Sequence, residues 1–219
     1  MLPPYLWSKI RAVFFDAEGT LLHIHPSVGH IYAQVARAYG LEVAPQEMQR
    51  RFGQVFRSQR LRQGLSPESC YENWKQIFLE TVEHFGPLAD PDRAFEECYQ
   101  AFARREFFAL SPGTREVLAE LHRSGRKLGV ISNWDARLPL LLEDFGLAPF
   151  FQVVLTSCEV GLAKPDPRLF LEGCRALRVL PEEALMVGDN LEEDVLGARK
   201  AGLWALRYPG GDLRRLFPL

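Results

Sequence analysis

The sequence predicts an α/β fold in which one parallel sheet, with helices on both faces, is interrupted by an all-helical insert. Three observations carry this. Five short apolar runs, at residues 13–15, 127–132, 152–156, 184–188 and 203–208, are bounded by turn residues, the pattern of buried strands. Helical patterns separate these runs in the second half of the chain, so crossovers join parallel strands in one doubly wound sheet. From residue 26 to residue 107 no strand pattern occurs, and four helical patterns rich in aromatics fill the interval.

The elements follow in order. The first strand, Val13-Phe14-Phe15, ends abruptly in Asp16, and Gly19 allows a tight turn just beyond it. Pro26 punctuates the next segment. Val28, Ile31, Tyr32, Val35, Ala36 and Tyr39 recur at helical spacing as far as Gly40. Met48, Phe52, Val55 and Phe56 share one face of a second helix. Ser66-Pro67-Glu68 opens a third, and Asp90-Pro91 opens a fourth carrying Phe95, Cys98, Tyr99 and Phe102. These aromatics suffice for a small core of their own. Residues 26–107 are therefore read as a helical subdomain, and residues 1–25 with 108–219 as the sheet-bearing core. Within that core, helices are expected near residues 117–121, 138–145, 168–177 and 191–201.

Composition excludes several classes of function. With 26 basic and 28 acidic residues the formal net charge is -2, so no basic excess points to nucleic acid or an anionic membrane. Cys70, Cys98, Cys158 and Cys174 are scattered without a CxxC pair, which suits reduced thiols in a cytoplasmic protein better than a disulfide frame or a zinc site. The opening MLPPYLWSKIRAVFF lacks the pattern of a signal peptide, and no apolar stretch is long enough to span a bilayer.

The chemistry is concentrated where strands end. Asp16 ends the first, Ser132-Asn133 the second, Gly161-Leu162-Ala163-Lys164-Pro165 follows the third, and Gly188-Asp189-Asn190 ends the fourth, with Asp194 shortly after. Parallel strands deliver their carboxyl ends to one edge, the edge at which open α/β sheets bind ligands. Asp16, Ser132, Lys164 and Asp189 are thus expected to converge. Clustered carboxylates repel unless a cation lies among them, and hard oxygen donors suit Mg²⁺ shared with a phosphate. Lys164 and the Ser132 hydroxyl offer positive charge and a donor to phosphoryl oxygens. A carboxylate can itself attack phosphorus. No GxxxxGK[ST] loop is present, and no histidine lies in a strand-end motif.

In these four blocks and their order the chain resembles the haloacid dehalogenase superfamily over nearly its whole length. The resemblance implies a Rossmann-like core with an alpha-helical, C1-type cap between the first and second blocks. It implies Mg²⁺-dependent hydrolysis of small-molecule phosphate esters through an aspartyl phosphate. Asp16 is then the nucleophile. Ser132, with Asn133 beside it, meets the phosphoryl group, and Lys164 neutralises charge on Asp16 and the phosphoryl oxygens. Asp189, a carboxylate oxygen of Asp16 and the backbone carbonyl of Glu18 hold the metal, with Asp194 and Thr20 in support. A monomer or homodimer acting on a small phosphorylated molecule is expected, with no nucleic acid or membrane partner.

Glu18 departs from the family pattern, which usually has Asp there to protonate the leaving oxygen and then activate water. Glu carries the same chemistry on one more methylene, and a displacement of about 1 Å can lower a rate about 10²-fold. Two alternatives stay open. One is a 2-haloacid dehalogenase, whose Asp-Ala-x-Gly-Thr frame matches Asp16–Thr20 but which needs no metal; Asp189 and Asp194 favour the metal-dependent branch. The other is a catalytically weakened binding protein. Of the remaining candidates, His23, His25 and His30 are expected as loop and cap-entry residues facing solvent or substrate, and Arg57, Arg60 and Arg62 on a solvated face. Trp134 is expected at the cleft mouth or under its loop, and Cys158 as buried filler.

Overall fold

The computed structural model describes residues 3–59 and 66–218. Its strands are β1 (Ala12–Phe15), β2 (Leu22–Ile24), β3 (Phe108–Leu110), β4 (Lys127–Ser132), β5 (Val153–Thr156), β6 (Ala184–Gly188) and β7 (Trp204–Arg207). Five of them form one sheet in the order β5-β4-β1-β6-β7, and every neighbouring pair is parallel. The expected α/β architecture is therefore the observed one. All four residues of β1 are buried, because the strand is central and covered on both faces. Phe14 joins Leu169, Phe170 and Cys174 of the helix Pro167–Leu177 on one side. Phe15 points to the other, where its ring lies 6.1 Å from that of Phe217.

Register sets the rim. Phe15 pairs with Val130 of β4 and Val187 of β6, and Ser132 pairs with Thr156 of β5. Asp16, Ser132 and Gly188-Asp189 consequently emerge at the same edge.

The chain divides into two compact units, Met1–His23 with Ala109–Leu219, and Ile24–Phe108. The second contains the helices Val28–Ala38, Pro45–Gln59, Pro67–Val82 and Pro91–Ala101. Side chains of Ser27, Ser66 and Asp90 cap three of these by accepting from the backbone N–H of His30, Ser69 and Arg93. Rings meet within and around its core. Tyr32 meets Phe52, Phe78 and Phe102 edge-on, and Tyr71 meets Phe95 and Tyr99 in the same way. Such pairs contribute about 0.5–1.5 kcal/mol each beyond the area they bury.

The structure differs from the sequence reading in several places. β2 and β3 pair as a separate two-stranded sheet; at three residues each they are too short to show strand periodicity. The helix expected over 191–201 is a π-helical turn, Leu191–Leu196, followed by Gly197–Lys200. The wider turn goes with local bonding: Asn190 accepts from the N–H groups of Glu192 and Glu193 through its side chain, and its carbonyl accepts from Asp194 and Val195. Cys98 and Cys174 are buried and take part in no disulfide. Trp134 is buried. Arg57 is exposed, and Arg60 and Arg62 lie outside the described residues. Among the described residues, no helix is long and apolar enough to cross a membrane.

Candidate active site

Lys164 is the centre of the rim. Its Nζ donates to Asp16 Oδ1 and to Asp194 Oδ1, both at 2.6 Å, with the ammonium almost fully buried. Ser132 Oγ donates to the same Asp16 oxygen at 3.0 Å. Oδ1 of Asp16 is thus held twice, and among the described residues Oδ2 accepts no hydrogen bond.

Asp189 completes the acidic group. One carboxylate oxygen each of Asp16, Asp189 and Asp194 lies within 4.8 Å of the other two. Two close approaches make this possible. Gly19, in the turn after β1, has φ +87, and a Cβ there would lie 2.7 Å from the Asp189 carboxyl carbon. A Cβ on Gly188 would lie 2.2 Å from the carboxyl carbon of Asp194. Asp194 also accepts from the Asn190 N–H at 3.0 Å, and Arg207 Nε holds the Asp189 carbonyl at 3.0 Å.

The charges do not balance. Burial alone would push Lys164 down, but Asp16 and Asp194 outweigh it and hold the ammonium above its ordinary range. Asp194 is pushed up to about 6, mainly by burial, with Lys164 opposing and Asp16 adding to the rise. Asp189 is raised by burial and then by the charge of Asp16. Three carboxylates surround one ammonium, and the excess negative charge fits a hard divalent cation between Asp16 and Asp189.

The other sequence candidates take different places. Glu18 is exposed on the turn, and its carboxylate is not one of the three that cluster. Thr20 is fully buried; among the described residues its hydroxyl makes no hydrogen bond, while its N–H donates to the Ala17 carbonyl. Asn133 turns its side chain toward the Lys164 loop: Oδ1 accepts from Lys164 N–H at 2.8 Å and Nδ2 donates to Lys164 O at 3.0 Å. His23 is bonded to Ser111 at 2.8 Å, and His30 to Ser27 at 2.9 Å. Sequence reasoning missed a buried ion pair beside the site. Asp135 Oδ2 accepts from Arg137 Nη2 at 2.7 Å, and its Oδ1 accepts from Arg137 Nε at 2.9 Å. The D-x-R spacing in Asp135-Ala136-Arg137 was the available signal.

Residues 10–202 match the family of haloacid dehalogenase-like hydrolases. The chain belongs to that family. It is 35% identical over 212 residues to human haloacid dehalogenase-like hydrolase domain-containing protein 3, covering 92% of this chain and 83% of that one. It is 43% identical over 133 residues to a phosphoserine phosphatase of Thermus thermophilus, covering 60% of this chain and 53% of the relative. Among solved structures, a HAD phosphatase of Thermococcus onnurineus superposes with a TM-score of 0.67 at 27% identity, covering 94% of this chain and 97% of that one. The L-2-haloacid dehalogenase of Xanthobacter autotrophicus, with chloropropionic acid covalently bound, superposes at 0.70 with 25% identity, covering 90% and 77%. The protein is a hydrolase, and the resemblance read from its four strand-end blocks is its true family.

Proposed function

We propose that this hydrolase is a Mg²⁺-dependent phosphatase of small-molecule phosphate esters, working through an aspartyl phosphate on Asp16. The observation that carries the reading is the charge imbalance at the rim: Asp16, Asp189 and Asp194 cluster, and Lys164 engages only two of them. A carbon-centred dehalogenation needs no such surplus, which would repel an anionic substrate. Phosphatase-named relatives in the family support the same choice.

Asp16, Asp189 and the backbone carbonyl of Glu18 would hold Mg²⁺, which supplies positive charge to the phosphoryl oxygens and lessens repulsion of the nucleophile. Lys164 and Ser132 fix Asp16 by Oδ1, so Oδ2 is the oxygen that attacks phosphorus. The bond from phosphorus to the leaving oxygen breaks as that bond forms. Glu18 protonates the leaving oxygen and afterwards takes a proton from the water that releases phosphate. The helical unit is read as the cap that carries substrate contacts.

The test is hydrolysis of an aryl phosphate with Mg²⁺, with and without a chelator, for the native enzyme and Asp16→Asn. Turnover is expected to vanish with chelation and to fall about 10⁴-fold or more in the variant. Metal-independent chloride release from 2-chloropropionate would overturn the proposal in favour of dehalogenation. Binding of Mg²⁺ and phosphate without turnover would overturn it in favour of a weakened site.

A further inference from the structure

We infer that Asn133 is a positioning residue for Lys164, and not a ligand of the phosphoryl group. The inference rests on the phosphatase reading and deepens it.

An Asn amide has two N–H donors and one carbonyl acceptor. Here all three functions are engaged. Oδ1 accepts from the Lys164 N–H at 2.8 Å, and Nδ2 donates to the Lys164 carbonyl at 3.0 Å and to Glu193 Oε2 at 3.3 Å. Neither donor is left for a phosphate oxygen. Both main-chain groups of Lys164 are clasped by one side chain, so the amide fixes the point from which the lysine stem reaches inward. The neighbours of Asn133 and Glu193 are themselves site residues: Ser132 bonds Asp16, and Asp194 bonds Lys164. One neutral amide therefore joins the β4 end, the Lys164 loop and the π-helical turn, holding Nζ between two carboxylates at 2.6 Å from each.

Asn133→Asp preserves shape and the Oδ1 acceptor, but sets an oxygen where Nδ2 faced two acceptors, Lys164 O and Glu193 Oε2. Glu193→Gln then restores a donor opposite residue 133. With an aryl phosphate and Mg²⁺, Asn133→Asp is expected to lower kcat about 10- to 100-fold while KM stays within about threefold. The double variant is expected to recover part of the loss. A crystal structure of Asn133→Asp should show Lys164 Nζ beyond hydrogen-bond distance of Asp16 or Asp194. The inference is overturned if KM and the inhibition constant for inorganic phosphate rise while kcat holds, if Glu193→Gln recovers nothing, or if Lys164 is unmoved in that structure. Absence of turnover in the native enzyme would defeat the phosphatase reading instead, and the Lys164 position would still decide the role of Asn133.

Discussion

The two units bury different things. The sheet-bearing unit takes Asp16, Lys164, Asp194, Asp135 and Arg137 out of solvent. Among the described residues, the helical unit buries one polar side chain, Thr81, whose hydroxyl donates to the Ile77 carbonyl. Its interior is otherwise apolar, aliphatic side chains packed around the rings of Tyr32, Phe78 and Phe95. The contrast follows from geometry. Parallel strands end together, so charges from distant parts of the sequence meet and satisfy one another within a few ångströms. Helices offer stripes that pack side by side, and a charge on such a stripe has no partner arriving from elsewhere. Buried charge therefore marks where chemistry is done, and buried aromatic surface marks where shape is maintained.

Three experiments test that contrast. The largest effect is expected from Lys164→Met, which leaves Asp16 and Asp194 facing each other unneutralised. Stability should fall by about 3–5 kcal/mol and turnover should be lost; denaturant unfolding and an aryl phosphate assay measure the two. If Lys164→Met proves harmless to stability, the buried charges do not form a unit. In the helical unit, Phe78→Ala should also remove about 3–5 kcal/mol, through a cavity among Tyr32 and Phe95. Here kcat per folded molecule should stay within about twofold, and a large fall in kcat would blur the contrast. The smallest effect is a pH dependence. Asp194 in the folded protein lies at about 6, above the ordinary carboxylate range. Its ionisation therefore opposes folding: its contribution is fully present at acid pH and is lost as pH rises through about 6. In metal-free protein, Asp194→Asn should gain stability relative to the native chain between pH 4 and pH 7. A shift in the opposite direction would mean that Lys164 outweighs burial at this carboxyl.

Much of the core was legible because burial on both faces writes itself as an apolar run. The five sheet strands and the four rim blocks stand out for that reason, and their convergence follows from parallel topology alone. What escaped depends on where a short polar side chain points. Asn133 is plainly at the rim in sequence, but nothing in its neighbours says that its amide turns to the main chain of Lys164. Asp135-Ala136-Arg137 shows its D-x-R spacing in sequence, but only the fold buries the pair. The π-helical turn follows from Asn190 bonding two successive N–H groups, a preference hidden inside an ordinary helical pattern. Thr20 fits the motif, yet among the described residues its hydroxyl has no hydrogen-bond partner.

The double grip on one oxygen of Asp16 reaches further than the strength of two hydrogen bonds. A free aspartate spins about its last carbon–carbon bond, and its two oxygens are interchangeable. With Ser132 and Lys164 both on Oδ1, that rotation would have to break two bonds at once. The carboxylate has lost its symmetry before any substrate arrives, and one of its oxygens is already singled out by the resting protein.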